Sequence, residues 1–176
     1  MRPKPGMRED ELAAVEATYG FGFPPDLRSL LATEIPAGWF DWRDASPDEI
    51  QMRLEEPIAG VAPYFQNYEY WLPPWGPRPD AVEDRIAFLR GAPRLIPLVG
   101  QHYLAAEPCA AGNPVFSIFG IDMIVAGCDL ADRLAGGVRS AATKGEARHI
   151  RFWSDVLYIH WDGWLPLLMQ DLARLE

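Results

Sequence analysis

Few side chains in this chain could carry reaction chemistry, and their spacing is unhelpful. A nucleophilic hydrolase needs Ser or Cys beside a histidine, and the elbow GxSxG does not occur. Ser117 falls inside the alternating run "PVFSIF", where a serine packed in a strand is expected. Cys128 stands next to Asp129 with no activating base nearby in sequence, so it and Cys109 read as buried filler thiols. His102, His149 and His160 belong to no HExxH or Cys-x-x-Cys pattern, so no metal is expected. Neither GxGxxG nor GxxxxGK[ST] is present, and the lysines are Lys4 and Lys144 alone, so no phosphate cradle and no cofactor are expected.

Carboxylates occur in pairs at Asp41/Asp44, Asp48/Glu49, Glu55/Glu56, Glu83/Asp84 and Asp129/Asp132. Acid–base catalysis requires two carboxylates in different environments across a cleft. Acids at the start of a helix have a simpler origin in capping and in the helix dipole. That origin covers Asp48, Glu49, Glu83, Asp129 and Asp132, but it leaves Asp41 and Asp44 of "WFDWRD" unexplained. Together with His102, these two form the one constellation from which a dispersed hydrolase site could be assembled. The test of that alternative is whether the three side chains share a pocket.

Rings crowd into "GWFDWRD" (38–44) and "YFQNYEYWLPPWG" (64–76). Read as an extended strand, the second puts Phe65, Asn67, Glu69 and Trp71 on one face and Tyr64, Gln66, Tyr68 and Tyr70 on the other. Prolines 73 and 74 fix a turn that would hold Trp71 and Trp75 against the domain. Tyr and Trp are also the residues enriched at protein interfaces. Trp39, Asp41, Trp42, Asp44, Tyr68 and Tyr70 are therefore the candidate partner-binding residues.

Composition narrows the class. A hydrophobic share of 49% with 7 Trp, 6 Tyr and 8 Phe supports a sizeable core over 176 residues, most simply as one domain, 8–176, behind a flexible tail, 1–7. The net charge is −9, and the 14 arginines are scattered rather than arranged in a stripe. Nucleic-acid binders concentrate positive charge, so nucleic acid is disfavoured and a basic protein partner is favoured. No apolar run approaches the roughly 18 residues of a membrane helix, and no secretion signal opens the chain. The reading is cytoplasmic.

The order of elements predicts the fold class. Helices are expected over 8–19, over "FPPDLRSLL", over 46–56 behind the capping box "SPDEI" and ending at Pro57, and over 80–90 capped by Asp80 and Glu83. "RLIPLV", "QHYLA", "PVFSIF" and "IDMIVA" read as strands, the last two a hairpin through "FGID". "DLADRL" is a short helix, "GGVRSAATKGEA" a mobile loop, 147–159 a helix, and Leu165, Leu168, Met169 and Leu172 mark a last helical stripe. Strands joined tightly, with helices before and after, predict an α+β domain with a bent, largely antiparallel or mixed sheet.

"FGFPPDLRSLL", "GWFDWRD", "SPDEI", "YWLPPWGPRP" and "PRLIPLVGQHYLAAEPCAAGNPVFSIFGIDMIVAGCDLADRL", in this order, resemble the SUKH superfamily over about residues 20–160. This superfamily includes a cell-wall-assembly regulator and many bacterial immunity proteins against polymorphic toxins. The chain departs from the family pattern at Ala126, where an aromatic often stands, and the extension 161–176 has no counterpart in it. The resemblance implies a bent sheet with helices around it, no catalysis, and a protein partner, commonly a toxin domain neutralised inside the producing cell. A regulatory scaffold without a toxin partner is the other binding role it leaves open.

Overall fold

In the computed structural model, residues 2–67, 70–136 and 147–161 are described, with residues 158–161 described by their backbone only. Tyr68, most of the small-residue loop, and the stripe from Leu165 to Leu172 lie outside the described residues.

Local signals place most elements where the chain chemistry requires them. Helix α1 (Glu9–Tyr19) opens on three acids and ends at Gly20, whose φ of 68° is the left-handed conformation that glycine adopts without penalty. Helix α2 (Pro25–Thr33) starts on a proline at its first position. Helix α3 (Pro47–Asn67) begins with the Ser46 hydroxyl accepting from the Glu49 N–H at 3.2 Å. Helix α4 (Val82–Arg90) departs from expectation, because Ala81 and not Asp80 occupies its cap position. Helix α5 (Leu130–Leu134) is capped by the Asp129 carboxylate, which accepts from the Asp132 N–H at 2.7 Å. Helix α6 (Trp153–Trp161) starts six residues later than the expected 147.

The chain is α+β, with two antiparallel sheets. Strands β3 (Leu95–Val99), β4 (His102–Ala105), β5 (Val115–Phe119) and β6 (Asp122–Gly127) form a four-stranded meander in sequence order. The β5–β6 turn is tight because Gly120 takes φ 60° at its first central position. Alternation along the strands separates two cores. Leu95, Tyr103, Phe116, Ile118 and Met123 pack on one face with α4, α6 and the C-terminal half of α3. Ile96, Leu98, Leu104, Val115 and Ala126 pack on the other with α1, α2 and the N-terminal half of α3.

Two expectations are corrected here. The first residues are not a free tail. Strand β1 (Lys4–Pro5) pairs antiparallel with β2 (Glu34–Ile35), and Met7 is buried. Nor does Pro57 end the third helix, which runs 21 residues through both Pro57 and Pro63. Residues 64–67 are therefore helical, not extended. Each internal proline costs about 3 kcal/mol by removing a hydrogen bond and crowding the preceding turn. Burial of Ile50, Leu54, Pro57, Val61 and Phe65 along one stripe offsets that cost, and Pro57 is itself part of the buried face.

Arg85 is a buried guanidinium with no carboxylate partner among the described residues. Its Nε donates to the Phe65 carbonyl at 3.0 Å and its Nη1 to the carbonyls of Pro79 and Asp80 at 2.9 and 2.8 Å. The fork geometry serves the end of one helix and the approach to the next together, which an ammonium does not reproduce. Arg85→Lys is expected to cost about 1–3 kcal/mol, the range for leaving buried polar groups unpaired. Urea unfolding checks this, and an unchanged midpoint would show that these carbonyls find other donors.

Candidate functional site

Helix α3 lies across the turns of both hairpins, and its 21 residues divide among three directions. One stripe enters the core. A second meets the hairpin turns. Arg53 donates to the Gly100 carbonyl, pairs with Glu56, and lies 5.4 Å over the Tyr103 ring. The Tyr103 hydroxyl donates to Glu56 at 2.7 Å, and burial pushes its pKa above the usual tyrosine range. Further along, a Cβ placed on Gly60 would sit 3.4 Å from the Gly120 Cα, so the helix and the hairpin tip are in van der Waals contact there.

The third direction is solvent. Asp48, Met52, Glu55 and Ala59 form the exposed ridge of α3, flanked by Glu49 and Glu56. Phe119 stands on the β5–β6 tip, whose Gly120 approaches Gly60 of α3. Phe119 is 82% exposed and Met52 59%, the two highest values among the exposed large apolar side chains of the described residues. Arg53, the one base in the segment 48–56, has 18% of its side chain exposed and is spent on internal contacts. The ridge is thus acidic, with the exposed apolar side chain of Met52 within it.

The cluster "GWFDWRD" is built differently from what its composition suggests. Trp42 is 5% exposed and packed edge-on against Phe23 and Phe40, with Tyr19 and Phe21 also in ring contact. It is core, not an anchor. Asp41 is also buried and accepts from Lys4 Nζ at 3.1 Å, from the Arg43 N–H at 3.1 Å and from Arg43 Nε at 3.2 Å. Burial alone would raise its pKa, but the hydrogen bonds from Arg43 and Lys4 outweigh burial and hold it below the usual carboxylate range. Asp44 is exposed and bound to Lys4. Trp39 is half-buried against the second core. The unexplained acids are therefore explained by the N-terminal strand, which delivers Lys4 to both. Tyr70 is buried as well, among Tyr64, Phe65 and Trp75, and burial pushes its hydroxyl pKa up.

A cleft of about 310 Å³ opens between this loop, α3 and the β3–β4 turn, lined by Lys4, Trp39, Asp41, Asp44, Glu49 and Arg53 among others. His102 is not part of it. The His102 Nδ1 instead accepts from Arg133 Nε at 3.1 Å, and burial together with that guanidinium lowers its pKa. Asp41, Asp44 and His102 do not converge. Of the thiols, Cys109 is exposed rather than buried, and Cys128 is half-buried. Among the described residues, no group of three or more His, Cys, Asp or Glu is placed to hold a metal ion. No helix among them is long and apolar enough to cross a membrane.

The ridge was not legible as a site from sequence. Asp48 and Glu49 were accounted for by capping, and Phe119 reads as one more strand residue. One signal was available. Asp48, Met52, Glu55 and Ala59 fall at helical spacing opposite Ile50, Leu54 and Pro57, and a methionine within an otherwise polar face is an exposed apolar residue. Comparison of the chain with protein-family models, with curated proteins and with solved structures returned no match.

Proposed function

We propose that this chain is a non-enzymatic protein-binding module of the SUKH type, an immunity protein that covers a basic toxin domain in the cytoplasm of the producing cell. One observation carries this reading: Met52, one of the two most exposed large apolar side chains of the described residues, lies within the acidic outer face of α3, and the other, Phe119, stands on the hairpin tip that approaches α3 at Gly60. Apolar anchors inside a charged rim are the usual composition of a protein interface, where desolvated rings and thioethers supply residence and the surrounding charges guide encounter. The net charge of −9 adds long-range attraction to a basic partner and repels nucleic acid. The order of motifs shared with the SUKH superfamily supports the same class.

Affinity purification from the native host identifies the partner, and stopped-flow mixing with that purified protein tests the face. Association is expected to slow as salt rises, because the screening length shrinks from about 10 Å at 0.1 M to about 3 Å at 1 M. Asp48→Lys with Glu55→Lys is expected to slow association by roughly tenfold at low salt. Phe119→Ala should act chiefly on dissociation, speeding it by about tenfold or more. A partner whose association ignores both salt and the double substitution would place the interface elsewhere. A stoichiometric partner that is not basic would refute the toxin-neutralising reading itself.

A further inference from the structure

On the side of α3 away from the hairpin turns lies a second concavity, a groove of about 510 Å³ between α3, α4 and the start of β3. Its size falls in the range of small-molecule sites, roughly 300–1,000 Å³, and a cleft between helices is a common place for one. The floor is apolar, made by Ile58, Ile86, Leu89, Leu95 and Trp153. The α4 wall carries Arg90 and Arg94. Arg151 joins them at the helix end, its Nη2 donating to the Gly91 carbonyl at 2.7 Å.

Several arginines of this acidic chain are committed inside the fold: Arg85 serves backbone carbonyls, Arg133 meets His102 and Arg148 meets Asn113. Arg8, Arg28, Arg43 and Arg53 are each paired with a carboxylate. Among the described residues no carboxylate pairs with Arg90, Arg94 or Arg151, although Arg94 donates to the Tyr19 carbonyl. One base in the last turn of a helix answers the helix dipole. Three around one helix end, in a protein of net charge −9, exceed that need. Glu55 stands on the opposite wall, so the positive charge is confined to the α4 side.

We infer that this groove binds an amphipathic anion, with a single hydrocarbon chain on the apolar floor and a carboxylate or phosphate head between Arg90 and Arg94. Guanidinium groups suit both heads because their planar fork meets two oxygens at once. The groove shares Glu55 and Ala59 with the α3 ridge, but its apolar floor and its arginines lie outside that face, so the inference stands whether or not the partner reading holds.

Isothermal titration of the full chain with decanoate, decyl phosphate and decyltrimethylammonium, each below its micelle concentration, tests the inference. Saturable one-to-one binding of at least one of the two anions is expected, with decyltrimethylammonium at least tenfold weaker. The tighter anion identifies the head group. Arg90→Gln with Arg94→Gln removes both charges without reversing the helix-end electrostatics, so the melt should fall by only a few degrees, for the lost bond to the Tyr19 carbonyl, while anion affinity falls at least tenfold. Ala62→Trp, which fills the groove, should block binding even with both arginines intact. Absence of saturable binding by either anion, equal binding of the cation, or an arginine double variant that binds like the parent would each overturn the assignment.

Discussion

Trp71→Ala is expected to cost about 3–5 kcal/mol of folding stability, the range for deleting a packed aromatic from a core. Trp71 is 9% exposed. Its ring meets Phe88 at 4.8 Å, Trp75 at 5.4 Å and Phe65 at 6.1 Å between centroids. Its indole N–H donates to the Gly76 carbonyl at 2.9 Å, closing the proline turn on itself. The cavity left by alanine would be walled by other rings and by prolines, which collapse poorly. For a chain of this length each kcal/mol moves the melt by about 2–4 °C, so a fall of roughly 6–20 °C is expected. Trp71→Phe should recover much of the packing while losing the N–H bond. A melt lowered by only a degree or two would mean that the ring is not packed as described.

Trp42→Ala should be comparably damaging, again by about 3–5 kcal/mol. This is the sharper test, because composition alone made Trp42 a candidate anchor for a partner. Its ring is the centre of an aromatic group, 5.0 Å from Phe40, 5.4 Å from Phe23 and 5.7 Å from Phe21. Those contacts tie α1, the loop before α2 and the 38–45 loop into one core. The expected signature is a lowered chemical-denaturation midpoint with partner dissociation unchanged at temperatures where the variant is folded. A variant of unaltered stability that releases its partner faster would restore Trp42 to the interface and remove it from the core.

How much of this was legible beforehand can be judged element by element. The four strands, the β5–β6 turn and α1, α2, α4 and α5 follow from alternation, glycine, proline and capping chemistry, all of which act within a few residues. The same local rules misplaced the end of α3. A proline penalty is a property of the backbone at one position, whereas its compensation comes from Val61 and Phe65 meeting residues far away in sequence. The backbone of Phe152 is a similar case. It is the one non-glycine residue with positive φ, 70°, among the described residues. Stacking on Trp75 at 5.1 Å and an N–H bond to Asp155 at 3.0 Å hold it there.

The candidate site divides in the same way. Residue types give the aromatic mass and the acidic charge of this chain directly, since those quantities are sums over the sequence. They did not signal which rings and acids face outward. Asp41 and Trp42 have the composition of an interface, yet they are internal, because Lys4 arrives from 37 residues away and four rings close over the indole. Met52 and Phe119 look ordinary in sequence, yet they are the most exposed large apolar side chains of the described residues, because α3 turns its core stripe inward and the hairpin tip carries Phe119 outward. The α+β class, the strand run and the acidic balance follow from residue order and composition, because hydrogen-bonding period and charge are local or additive. The tertiary structure alone decided exposure, which depends on what other segments cover each side chain.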